Sequence, residues 1–211
     1  MQTAAPDFKI IWDDAYIVHH LTDEACGCLN ILSECKKAGH AERPLIFCST
    51  SKITYPGAGV AAFAASERNI QNILKNMMPM IISFDKVNQL RHVLFLHDRQ
   101  GVLEHMKKHR AILQPKFELV KKTFAEQLTP HGDIARWTDP KGGYFLSLYV
   151  QEGCAKRVVQ LCHDAGVVLT GAGAAFPYGL DPKDNHLRIA PTYPNLAELE
   201  TASMLLTVCV R

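Results

Sequence analysis

The residues whose types and spacing could do chemistry lie in one stretch of this 211-residue chain, from Leu45 to Gly59. Leu45-Ile46-Phe47-Cys48, with Pro44 in front and hydroxyl residues behind, reads as a short buried strand. It empties into Ser49-Thr50-Ser51, then Lys52, then the turn Pro56-Gly57-Ala58-Gly59. A lysine at the mouth of a buried strand is badly placed for solvation, and desolvation favours its neutral amine. That form attacks carbonyls and makes imines. The hydroxyls of Ser49 and Ser51 are the right length to hydrogen-bond a phosphate beside the amine. A lone Ser-x-Ser-Lys is also what a surface lysine in a polar turn looks like, so the reading depends on what else the chain brings.

The elements that must position this stretch can be read on both sides of it. Phe8-Lys9-Ile10-Ile11-Trp12 is a strand candidate that ends in Asp13-Asp14-Ala15-Tyr16. Acidic residues at the carboxyl end of such a strand lie where α/β sheets bind ligands. They cap a turn or face a cation, and a protonated pyridine nitrogen is one such cation. Helical spacing over Gly27 to Gly39 supplies the crossover between the two strands. A strand of small residues follows at 59–65, and Ser66 caps a helix running through Asn76. Residues 85–99 and 101–128 are helical by period. Strands are expected at 132–137, 143–150, 166–170 and 186–190, with a helix over Cys154 to Ala165. Asn195 with Glu198 three positions on caps a last helix to Val208. The alternation of strands and helices is that of an α/β chain.

Composition removes several classes. With 47% hydrophobic and 21% charged residues the chain can bury a core. A formal net charge of +2, with no basic run longer than Lys36-Lys37 or Lys107-Lys108, gives no footprint for nucleic acid. The seven cysteines lack paired Cys-x-x-Cys spacing and read as thiols in a reducing compartment. No metal site is expected. His19-His20 are neighbours that point opposite ways in extended chain, and His105 with His109 reads as part of a solvated basic face beside Lys107, Lys108 and Arg110. No basic region and apolar core of a signal peptide stand at the amino terminus. No stretch reaches the roughly 20 apolar residues of a spanning helix. The expectation is a soluble, cytoplasmic chain with no membrane partner.

Asp13-x-Ala15-Tyr16 after one strand, followed by Ser49-x-Ser51-Lys52 after the next, resembles the second half of a fold-type-I aminotransferase, the pyridoxal-phosphate-dependent class I/II enzymes. The resemblance implies pyridoxal 5'-phosphate as cofactor, with Lys52 forming the internal aldimine. It implies that Asp13 pairs with the pyridinium nitrogen, that Tyr16 hydrogen-bonds the phenolic oxygen, and that Ser49 and Ser51 hold the phosphate. An anionic Asp13 keeps the ring protonated and able to accept electrons. The family's usual phosphate-binding arginine is missing from residues 56–60, and the glycine-rich wording is similar to a MocR-related or aspartate-aminotransferase-like subgroup. Arg188, in Arg-x-Ala after the glycine loop at 171–177, matches the arginine that forks onto the substrate carboxylate.

By the same resemblance, 1–100 is part of the cofactor-binding large domain with its mostly parallel sheet. Residues 101–211 are the small α+β carboxyl-terminal domain. The implied reaction transfers an amino group between an α-amino acid, aspartate first, and a 2-oxo acid such as 2-oxoglutarate. The complete enzyme is expected to be a homodimer, and this chain to be a truncated half that is not self-sufficient. The alternative is the effector-sensing domain of a MocR-type regulator, or an inactive fragment.

Overall fold

A computed structural model of the protein describes residues 5–24 and 27–211. The readings placed on residues 1–4 and on Cys26 lie outside the described residues. The chain divides into two compact units, one within Met1–Val18 and Ala25–Lys107, the other His19–Glu24 and Lys108–Arg211.

The first unit is built on strands β1 (Ile10–Asp13), β2 (Pro44–Ser49) and β3 (Ala61–Ala65), in that order across one sheet. β1 and β2 are parallel, with Asp13 opposite Phe47, and β2 and β3 are antiparallel, with Ser49 opposite Ala61. The parallel pair needs a crossover, and α1 (Ile31–Lys37) lies within it. This helix is shorter than the expected 27–39. Asn30 accepts from Ser33 N and so caps the helix four residues inside the expected start. Gly39, at φ +76°, closes it. Ser66 caps α2 (Glu67–Met77) as read, accepting from Asn69 N. Asp85 does the same for α3 (Lys86–Leu96) by accepting from Asn88 N. β2 is less buried than its apolar run suggests. Pro44 is buried and Leu45, Ile46 and Cys48 partly so, but Phe47 is 41% exposed, as are Ile11 at 74% and much of α3.

His97, at φ +59°, turns the chain out of α3, and Asp98 restarts it by accepting from Gly101 N at 2.9 Å. The helix that follows, α4 (Arg99–Leu128), begins in the first unit and ends in the second.

In the second unit, α4 presents Leu113, Phe117, Val120, Phe124 and Leu128 on one face at spacings of three and four, all buried. They pack into one core with the antiparallel sheet β4 (Ala135–Trp137), β5 (Leu146–Val150) and β6 (His186–Ile189). On β5 the buried positions are Leu146, Leu148 and Val150, the two-residue period of a sheet covered on one face. α5 (Ala155–Asp164) and α6 (Leu196–Val210) complete the core, and Asn195 and Glu198 make the expected capping box. The segment 19–24 joins this unit through backbone bonds: Leu21 N donates to Lys141 O at 2.9 Å, and Gly143 N to His19 O at 2.8 Å. The strand expected at 166–170 is not formed. Gly166, at φ +89°, ends α5 and Val167 N returns to Cys162 O at 2.8 Å, so the extended residues after it run without a ladder.

Candidate active site

The sheet register brings two of the sequence motifs to one edge of the first unit. Asp13 is the last residue of β1, and its ladder partner Phe47 lies two residues before Ser49, the last of β2. Parallel strands end at the same side, and adjacent strands are about 4.8 Å apart. Both chains therefore leave the sheet together, β1 into Asp14-Ala15-Tyr16 and β2 into the turn that carries Lys52.

The two aspartates are not equivalent. Asp14 Oδ1 accepts from the Trp12 indole Nε1 at 2.9 Å, and Asp14 N donates to Phe47 O at 2.7 Å. Asp13 Oδ1 accepts from Ala15 N at 3.0 Å, which caps the turn, and its side chain stands at the exposed end of the strand. Asp14 is thus committed to shaping the turn. Asp13 caps that turn and stands exposed at its mouth. Tyr16 follows in the same turn, half-buried.

On the other strand, Ser49 Oγ accepts from Ser51 N at 3.3 Å, so the first hydroxyl orients the second residue's amide. Gly59 lies against Ser51 so closely that a Cβ built on it would come 2.8 Å from Ser51 Oγ and 3.0 Å from Ser51 N. Any side chain there would force Ser51 to shift. Gly59 and the two serines are thereby held together, with two hydroxyls beside the lysine turn, groups that can donate to a phosphate. Val60, last of the stretch 56–60 that holds no arginine, is bonded to Thr50: Thr50 N donates to Val60 O at 2.8 Å, and Val60 N to Thr50 Oγ1 at 2.9 Å.

Lys52 corrects one expectation. It sits in the turn after β2 as read, but its side chain is exposed. The burial expected from its place after a buried strand is not seen among the described residues, because that strand's end is itself only partly covered.

Arg188 lies in the second unit, on β6 opposite Ser147. Its guanidinium sits over the Phe145 ring, with Cζ 4.7 Å from the centroid. Among the described residues its buried Nε has no hydrogen-bond partner. A buried, unsatisfied guanidinium nitrogen is costly, and an incoming carboxylate would satisfy it. Beside it, His186 Nε2 is 2.9 Å from Ser147 Oγ, and burial pushes the His186 pKa below its ordinary value.

His105 is a second correction. It does not join a solvated basic face: its Nε2 lies 2.8 Å from the Ile53 carbonyl oxygen and its ring meets Phe95 edge to face at 5.1 Å. His92 and Asn88 of α3, which the sequence did not single out, also reach the Lys52 turn. No group of histidine, cysteine or acidic residues among the described residues could hold a metal ion, and no described helix is long and apolar enough to cross a membrane.

The chain resembles known proteins over its whole length. The profile of the family described as aspartate amino-transferase matches residues 1–211. A relative in Mycolicibacterium smegmatis, whose name goes no further than aminotransferase, is 50% identical over 209 residues, covering 99% of this chain and 49% of its own length. An aspartate aminotransferase of Corynebacterium glutamicum is 44% identical over 210 residues, covering 100% of this chain and 48% of the relative. The crystal structure of an aspartate transaminase from the same species superposes with a TM-score of 0.95 at 44% identity, again over 100% of this chain and 49% of that one. The chain therefore spans about half the length of the relatives it matches.

Proposed function

The chain belongs to the aspartate amino-transferase family, and from that premise we propose that it is the carboxyl-terminal half of a pyridoxal-phosphate-dependent transaminase. The observation that carries the reading is the common exit of β1 and β2, with Asp13 on one strand end and Ser49, Ser51 and Lys52 on and after the other. The hydroxyls of Ser49 and Ser51, held beside Gly59, suit a phosphate ester. When bound, pyridoxal phosphate supplies an aldehyde for capture by an amine and a pyridine ring that accepts electrons.

The chain's own residues then have distinct tasks. Lys52 offers the amine that retains the cofactor and, once free, moves a proton at the substrate α-carbon. Asp13 holds a proton on the ring nitrogen through its negative charge. Tyr16 donates its phenolic hydrogen bond to the ring oxygen. Ser49, Ser51 and the amides near Gly57 and Gly59 take the phosphate in place of an arginine. Arg188, with its unsatisfied Nε, takes the substrate carboxylate.

Aspartate with a 2-oxo acid such as 2-oxoglutarate is the substrate pair we propose, supported by the name of the Corynebacterium glutamicum relative. The complete enzyme is proposed to be a soluble homodimer. Exposed apolar side chains such as Ile11, Ile82 and Val87 support a chain that is covered by further protein. The names of the relatives favour the transferase over the sensing domain of a MocR-type regulator.

Borohydride reduction of the full-length protein with pyridoxal phosphate, followed by peptide mapping, tests the assignment. The label should fall on Lys52. A label on Lys75 or Lys86 would overturn it.

A further inference from the structure

We infer that Asn88 and His92 of α3 are positioning residues for the lysine turn, holding both of its ends in the geometry that presents Lys52. The inference rests on the reading of Lys52 as the cofactor-binding lysine and adds residues from an element with no motif of its own.

Asn88 and His92 are four residues apart on α3 and share one face of it. Asn88 Nδ2 donates to Ala58 O at 2.8 Å, so it grips the glycine turn after Lys52. His92 Nδ1 lies 2.9 Å from Asn88 O, a carbonyl that can only accept, so the ring carries its proton there. In the neutral ring the other nitrogen, Nε2, is then an acceptor. It lies 3.0 Å from Thr50 Oγ1 and 2.8 Å from Thr54 Oγ1, the hydroxyls on either side of Lys52. Those two residues define the turn itself: Thr54 N and Ile53 N both donate to Thr50 O, at 2.8 and 2.9 Å. Thr50 Oγ1 accepts from Val60 N as well, which links the lysine turn to the residue after Gly59.

The geometry closes a loop of hydrogen bonds around Lys52. From Thr50 it passes to His92, along α3 to Asn88, across to Ala58, and back through Val60 to Thr50. His105 adds a further hold on the Ile53 carbonyl from α4. Lys52 is exposed, so packing does not fix where its amine is presented. These polar contacts hold the backbone that carries it. A side chain that must meet a bound aldehyde needs its backbone held within about half an ångström. One histidine within hydrogen-bond distance of the hydroxyls on both sides of the lysine, whose Nε2 lone pair can take either of them, meets that need.

The experiment compares His92→Ala, Thr54→Val and Thr54→Ser in the full-length protein, by hydrogen exchange without cofactor and by the rate of borohydride trapping with it. His92→Ala and Thr54→Val should speed exchange at Ile53 and Thr54 by about tenfold, the effect of losing one or two ordinary hydrogen bonds. Exchange in β2 at Ile46 and Phe47 should stay at the parent rate. Trapping at Lys52 should slow by a similar factor. Thr54→Ser, which keeps the hydroxyl, should restore both. Exchange at Ile53 and Thr54 that stays at the parent rate, or that rises no more than in β2, overturns the inference, as does a Thr54→Ser variant as impaired as Thr54→Val. If trapping in the parent protein marks a different lysine, the reading of Lys52 fails, while the exchange data still report whether α3 holds the turn.

Discussion

Gly57 and Gly59 stand two residues apart behind Lys52, and alanine at each should fail for a different reason. Gly57 has φ +79° and nothing within 4 Å of an added Cβ. Alanine there meets backbone strain alone, about 1–2 kcal/mol for an L-residue in the left-handed region. Gly59 is not in that region, but its added Cβ would lie 2.8 Å from Ser51 Oγ, 3.0 Å from Ser51 N and 3.2 Å from Ser51 Cα. The hydroxyl can rotate away. The amide and Cα can retreat only if the turn moves, and overpacking of this kind costs about 1–3 kcal/mol. Thermal unfolding therefore does not separate the two variants, because the penalties overlap. Cofactor affinity does. Moving Ser51 takes away a hydrogen bond to a charged phosphate, worth about 1.5–3 kcal/mol, or roughly tenfold to a hundredfold in Kd. Titration of pyridoxal phosphate into the full-length protein should show that loss for Gly59→Ala and less than about a threefold change for Gly57→Ala, a difference below 1 kcal/mol. A Gly59→Ala protein that binds the cofactor with parent affinity would refute the phosphate-binding role of Ser51. Equal losses in both variants would show that general loosening of the turn, and not the Gly59–Ser51 contact, governs binding.

Three further outcomes follow from the second unit. Burial, with the neighbouring Cys209 adding to it, pushes the Cys162 thiol up to about 12, so iodoacetamide at pH 8 should label the exposed Cys28 and leave Cys162 unmodified in the native protein, as peptide mapping would read. Phe124 is fully buried and meets Trp137 at 5.6 Å; Phe124→Ala should lower stability by about 3–5 kcal/mol, and a loss under 1 kcal/mol in denaturant unfolding would contradict the packing described. Burial lowers the His186 pKa from 6.5, so the unfolded chain binds its proton first as pH falls. His186 therefore costs nothing above about pH 6.5, and stability drops as pH falls from there through the lower folded value. His186→Gln should flatten that part of the pH–stability curve, and an unchanged slope would show that other groups set it.

What was legible in the sequence, and what was not, divides along a physical line. Strand ends announce themselves, because an apolar run that stops at a hydroxyl or an acid marks both a boundary and a change of solvation. Pro44 through Ser49 and the run before Asp13 were readable for that reason. The caps at Ser66 and Asn195 were readable because the capping side chain sits beside the backbone it serves. Asn30 followed the same rule, but helical spacing further upstream masked it. Burial was harder. Nothing within Leu45–Lys52 says what covers the strand mouth, so the desolvation of Lys52 was an inference about neighbours that the described residues do not supply. His105 was misjudged by its sequence neighbours. Lys107 and Lys108 are about 200° and 300° further round an ideal helix, so their exposure says nothing about the face that meets Ile53. His92 illustrates the deeper limit. Thr50, Thr54, Asn88 and His92 form one hydrogen-bonded set only after α3 has packed beside the turn. Their separation in the chain carries no period and no motif. Residues that do chemistry are recognised by type and spacing, because the reaction dictates both. Residues that hold them in place need only the right atom at the right point, and any element that arrives there can supply it.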